Sequence, residues 1–353
     1  MIDGDQSYHS WRRLGDVVSS LYALGYHERV DLTAIGSATL GSLRSEAFCR
    51  AYSADKNVSI FLGRPSRMHR SHSFLDLSFN TIGSDSSIES FEYAQETRWT
   101  VACAILKERS LDLARFVDAA ARTQAMHIIL QDCVALEASL PSRYQLPGHL
   151  KDFQGTAVER DFVASAALNI LHVRFLMHSS PMQGASEIGS ELIIVSAAML
   201  KLVGEITILK ATLANSGTGF IWKIIFYGLP AAGIICLALI NRGAQNADTS
   251  FSVPQAMQDL SVIVAHVEAG VLLSPDQPNY ALLQAATVTI KSVLHTLNSG
   301  SLIPTTQDGV STEQASRAID PWMPWAGDND FFDFELDFWT NLAEHPALYQ
   351  DAA

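Results

Sequence analysis

The stretch SWRRLGDVVSSLYALG, Ser10 to Gly25, sets the fold class. Trp11, Leu14, Val17, Val18, Leu21 and Leu24 recur at three- and four-residue spacing, which gathers them on one stripe of a helix, and Gly25 is placed to end it. The same spacing returns along most of the 353 residues, and no period-two alternation lasts long enough to make a sheet. The chain therefore reads as all-α. Beyond this first helix, the pattern predicts helices at about 43–58, 92–108, 112–139, 159–178, 187–215, 219–241, 254–273 and 280–297. Residues 1–297 are expected to form one multi-helix domain, 298–330 a Ser/Thr/Pro/Gly-rich linker, and 331–353 a short acidic-aromatic tail helix.

A composition of 48% hydrophobic and 17% charged residues carries enough apolar surface for a sizeable core and excludes a mostly disordered chain. The net charge of -13 repels a phosphate backbone, which argues against direct nucleic-acid binding. Eight acids and no Lys or Arg fall between Asp320 and Ala353, so most of that charge belongs to the tail. Cys49, Cys103, Cys133 and Cys236 lie far apart in apolar surroundings, as reduced core thiols do. Residues 1–13 lack the basic start and apolar run of a secretory signal, so a reducing, intracellular compartment is expected.

Three stretches carry readings beyond core packing. Residues 220–240 are nearly continuous hydrocarbon, about the length of a bilayer span, but Lys223, Gly228, Pro230 and Gly233 interrupt them and favour a buried core helix over a membrane protein. The segment FLGRPSRMHRSH, Phe61 to His72, breaks at Gly63, is turned by Pro65 and holds Arg64, Arg67 and Arg70. Asp55 lies three residues after Tyr52 and seven after Phe48, on the inward face of its helix, so it needs a buried cation, and Arg64 or Arg44 is expected to supply it. His69 and His72 have no further Cys or His at ligand spacing, and the sequence assigns no metal site.

The third stretch is DNDFFDFELDFWTNLAEH, Asp328 to His345, where acids alternate with aromatics as in acidic-hydrophobic activation segments. Phe334, Phe338 and Trp339 are its candidate contacts with a partner's groove, the alternative being a helix that caps its own core. There is no Gly-rich phosphate loop, no G-x-S-x-G elbow and no H-E-x-x-H pair, and no catalytic residue or cofactor is assigned. The alternative in another class is a helical enzyme or lipid-handling protein whose site is built from residues distant in sequence.

Two long segments, WRRLGDVVSSLYALGYHERV (Trp11 to Val30) and RSEAFCRAYSADKNVSIFLGRPSRM (Arg44 to Met68), resemble the middle homology region of fungal zinc binuclear cluster transcription factors. The residues that carry it are Gly25, Tyr26, His27, Arg44, Tyr52, Asp55, Lys56, Gly63, Arg64 and Pro65, with LPSRYQLPGHL (Leu140 to Leu150) and FYGLPAAGIICLALI (Phe226 to Ile240) agreeing further along. The resemblance implies an all-helical regulatory domain of a nuclear transcription regulator that is not an enzyme and does not enter a membrane. It further implies binding to the transcription machinery or co-regulators, a small apolar ligand among the helices, and a homodimer. The family reads DNA through a separate module in which six clustered cysteines hold two zinc ions; the four scattered cysteines here are not that module, so zinc is expected only outside this chain. Met1 falls about ten residues before a helix that lies inside the family's regulatory domain, so either an upstream start or a paralogue without its reader is expected, with an apolar face left uncovered at the front of the fold.

Overall fold

The computed structural model describes residues 8–29, 38–75, 93–179, 188–215, 218–242, 251–275, 277 and 279–299. Among these the regular structure is helical, with no strand. The tail, including Phe334, Phe338 and Trp339, and all of the linker but its first two residues lie outside the described residues. The chain groups into two compact units, Met1–Gly148 with Asp152–Met177, and His149–Lys151 with the chain from His178 onward.

The first unit contains α1 (Tyr8–Ala23), α2 (Ala38–Leu62), α3 (Tyr93–Asp112), α4 (Ala119–Ser139) and α5 (Ala157–Ser179). Helix α3 is its axis because its two faces are both apolar. Val101 and Ala104 pack with Val18 and Leu21 of α1 and with Phe48, Cys49 and Tyr52 of α2. Trp99, Cys103 and Leu106 face the other way, against Ile129 and Cys133 of α4 and Phe162 and Ala166 of α5. The Trp99 indole N–H is satisfied by the Ala166 carbonyl at 3.1 Å, which fixes α5 against α3.

The helix ends follow from local chemistry. Gly25 and Gly63 both have positive φ, +68° and +60°. At each, the two N–H groups past the helix bond back to its last turn, Tyr26 to Leu21 and Gly25 to Tyr22, Arg64 to Ser59 and Gly63 to Ile60. This is the left-handed glycine cap, which a Cβ would strain. The predicted continuous helix over 112–139 is interrupted instead: a 3-10 turn at Leu113–Arg115 follows α3, and Asp118 accepts the N–H groups of Ala120 and Ala121 at 3.1 Å to start α4 afresh. Helix α5 opens on a reciprocal cap in which Glu159 accepts from the Thr156 N–H at 2.8 Å and Thr156 accepts from the Glu159 N–H at 3.2 Å. Those hydrogen bonds hold the exposed Glu159 carboxyl below its usual range.

The second unit contains α6 (Ser190–Ile208), α7 (Thr218–Lys223), a π turn (Ile224–Gly228), α8 (Leu229–Arg242), α9 (Val253–Glu268) and α10 (Tyr280–Ser299). Pro230 explains the π turn. Its ring conflicts with a carbonyl four residues back, and the chain widens just there, so that the Leu229 N–H reaches the Ile224 carbonyl. Gly228 lets this segment lie directly on α6, because a Cβ there would stand 2.9 Å from Val203 Cγ1. The run Gly219–Asn241 is long and apolar enough to cross a membrane, and 89% of its apolar window is buried, as in a core helix. Glu205 of α6 anchors the strap 149–151, accepting from the Leu150 N–H at 2.6 Å with His149 Nδ1 also at 2.6 Å.

Candidate functional site

The polar chemistry of the first unit converges where the loop after α2 folds back between α2 and α3. Asp55 sits about two turns before the end of α2 and is buried, as its place on the Phe48 and Tyr52 stripe requires. Pro65 directs the chain back so that Ser66, Arg67 and Met68 enclose its carboxylate. Ser66 Oγ donates at 2.7 Å, the Arg67 N–H at 3.0 Å to Oδ1, and the Met68 N–H at 3.0 Å to Oδ2. Backbone donors to a carboxylate are strong, charge-assisted bonds, and they fix the loop in register. The Met68 side chain then closes the core beneath.

The cation is not one of the arginines named from sequence. Lys56, wholly buried, places Nζ 3.0 Å from Asp55 Oδ2 and 3.1 Å from Glu108 Oε2. It also donates to Ser66 Oγ and the Met68 carbonyl, and lies 4.4 Å above the Tyr52 ring. Arg44 is engaged elsewhere, donating to the Gly25 carbonyl at the end of α1 and covering the Tyr26 ring at 4.9 Å. Arg64 is half-buried on the turn whose register Gly63 and Pro65 set. The expected pairing fails because Pro65 turns backbone N–H groups, rather than the Arg64 side chain, toward the carboxylate, while the Lys56 stem is long enough to swing back from the next position.

Glu108 of α3 joins the two sides. Its Oε2 accepts from the Tyr52 hydroxyl at 2.6 Å and faces Lys56, while Oε1 faces the loop, 3.3 Å from the Arg70 N–H and 3.3 Å from His69 Nε2. Burial, and then the bond to Glu108, pushes the Tyr52 hydroxyl far above its usual range, so it remains a donor. His69 Nε2 is also 3.6 Å from Asp112 Oδ2, one turn further along α3, and its Nδ1 lies 2.7 Å from Ser71 Oγ. His72, which sequence spacing pairs with His69, is exposed, its ring 6.2 Å away, and it is not part of the cluster. His69, Glu108 and Asp112 each present a ligand atom within 4.8 Å of the other two.

Comparison with models of protein families, with curated proteins and with solved structures finds no match to this chain.

A second buried amine lies on the other face of α3. Lys107 is wholly buried, with Nζ 2.8 Å from Asn57 Oδ1 of α2 and 2.9 Å from Asn169 Oδ1 of α5. Burial draws its pKa down to about 7, and the same burial, with Lys107 beside it, keeps His172 well below the histidine range. The neighbouring Cys103 thiol is pushed up to about 12 by burial, so it is a core thiol rather than a nucleophile. Lys56 was named from the sequence only within the family resemblance and not as the partner of Asp55, and Lys107 and Glu108 were not singled out, although Glu108 had a signal: it stands seven after Val101 and four after Ala104, on the stripe that faces α2.

Proposed function

We propose that this chain is the regulatory domain of a nuclear transcription regulator, acting by binding and conformational control rather than by chemistry. One observation carries the reading. The segments on which the family resemblance rests, scattered over Gly25 to Pro65, meet in one body: Arg44 caps the Gly25 turn, and the turn set by Gly63 and Pro65 is held on Asp55 and Lys56. Residues shared for catalysis would face a cleft, whereas these are spent on holding α1, α2 and the loop together. Val17 and Leu24 of α1 and Leu40 and Leu43 of α2 are exposed apolar residues, which fits a domain that meets a partner. DNA contact would come from a separate module, and the acidic-aromatic tail would engage the transcription machinery.

The test fuses the full chain to a heterologous DNA-binding module upstream of a reporter. The fusion is expected to change output, and Phe334→Ala, Phe338→Ala and Trp339→Ala together to remove the activating part. A reporter indifferent to the fusion would refute the regulatory reading; full activity of the triple variant would refute the tail's role.

A further inference from the structure

We propose that His69, Glu108 and Asp112 form a binding site for a single divalent ion of the zinc type, clamping the loop after α2 onto the last turn of α3. Three independent features point to it. The first is geometry. Nitrogen and oxygen ligands of tetrahedral zinc lie at about 2.0 to 2.1 Å, which places any two of them about 3.3 to 3.4 Å apart. His69 Nε2 stands 3.3 Å from Glu108 Oε1 and 3.6 Å from Asp112 Oδ2, with all three atoms inside 4.8 Å. These separations are long for hydrogen bonds and match two edges of such a tetrahedron, leaving its fourth corner for water.

The second feature is charge. Glu108 and Asp112 are one turn apart on the same face of α3, where like charges repel, and Asp112 is the last residue of the helix, where the helix dipole also disfavours an anion. Around them stand Lys56, which is 3.0 Å from Asp55 and 3.1 Å from Glu108, Arg70, whose Nε is 3.9 Å from Glu108, and the exposed Arg115, 3.1 Å from Asp112. Asp55, Glu108 and Asp112 are matched in number by Lys56, Arg70 and Arg115, but Arg70 and Arg115 are exposed and solvent-screened, so the facing oxygens of Glu108 and Asp112 still suit a cation. The third is the outer contact. Ser71 holds the far side of the ring, with its Oγ 2.7 Å and its backbone N–H 3.2 Å from His69 Nδ1, and this fixes the imidazole with Nε2 facing Glu108 and Asp112.

The ligand set of one imidazole and two carboxylates, with no thiolate, suits zinc and neighbouring first-row ions and not a soft metal. This site is separate from the six-cysteine module of the resemblance, and it ties one loop to one helix inside the first unit.

The experiment is a titration of the full chain, stripped with chelator, with Zn²⁺ alone, following bound metal and the urea midpoint. One equivalent is expected to bind and to raise the midpoint. His69→Ala and Asp112→Asn, both on partly exposed side chains, are expected to abolish that equivalent, and Ser71→Ala to weaken it about 10- to 100-fold. Co²⁺ in place of Zn²⁺ is expected to give the visible bands of a tetrahedral site in the wild type and none in His69→Ala. Each variant's midpoint in chelator, unchanged within error, shows that it still folds. Binding that is absent, or equal in the wild type and all three variants through other histidines, overturns the proposal.

Discussion

Replacing Lys107 with methionine should abolish a pH dependence of stability that the wild-type first unit carries. Burial lowers Lys107 from 10.5 to about 7. Between those values the unfolded chain holds a proton that the folded chain has released, so stability rises with pH across that window and its cost is full below it. A shift of that size is worth about 5 kcal/mol in all, of which about 1.5 kcal/mol is recovered between about pH 7 and pH 8.5. The opposing groups act later. Cys103 and Cys133 are pushed up to about 12 and about 11, so they erode stability only once unfolded thiols ionise, above about pH 8.5. The wild type is therefore expected to be most stable near about pH 9.

Urea titrations read at Cys103 and Cys133, by brief thiol labelling and mass spectrometry, follow this unit alone. With m of about 1 to 3 kcal/mol/M, the wild-type midpoint should climb about 0.5 to 1.5 M from about pH 7 to pH 8.5. Lys107→Met should show no climb. Its loss of the bonds to Asn57 and Asn169 costs about 1 to 3 kcal/mol, which removal of the buried amine offsets at neutral pH and not at high pH. Parallel wild-type and variant curves would refute the reasoning and mean that Lys107 is charged in the fold.

Lys56 predicts the opposite sign from the same residue type. Lys56→Met strands Asp55 and Glu108 without their shared cation and should cost about 3 to 5 kcal/mol by urea denaturation, with Glu108→Gln in the same chain recovering part of it, because the two changes share one contact. In the second unit, Gly228→Ala drives a methyl to 2.9 Å from Val203 and should cost about 1 to 3 kcal/mol, less in a Val203→Ala background, as a double-mutant cycle would measure.

The helical stripe made Asp55 legible, because any polar residue seven after a buried Phe48 and three after a buried Tyr52 must be buried too. Gly25 and Gly63 were legible as stops, since both hold the left-handed conformation that glycine adopts at least cost. Lys56 was not, because adjacent residues on a helix point about 100° apart and only a long flexible stem lets one reach the other's carboxylate. The meeting of His69 with Asp112 had no sequence signal: it depends on how Pro65 and the Asp55 bonds aim the loop, a tertiary outcome separating residues 43 positions apart. The break after α3 was hidden because Asp112 and Asp118 are equally good punctuation, and only Asp118 caps a helix.

Lys107 and Glu108 are neighbours in sequence and would neutralise each other on a surface helix. On α3 they point to different walls, Glu108 to the loop, Tyr52 and Lys56, and Lys107 to amide oxygens of α2 and α5. Each charge is thereby judged against its own surroundings. The carboxylate faces the Lys56 amine and the Tyr52 hydroxyl, while the Lys107 amine faces two amide oxygens and burial draws its pKa down to about 7. The consequence is an asymmetry in what can act on the helix from outside. A cation arriving at His69 and Asp112 draws on Glu108 Oε1, the oxygen that already faces the loop at the Arg70 N–H, and ties the loop to α3 while Lys56 keeps Oε2. On the Lys107 side the lever is acidification, which forces a proton onto a buried amine and loosens the contact of α3 with α5.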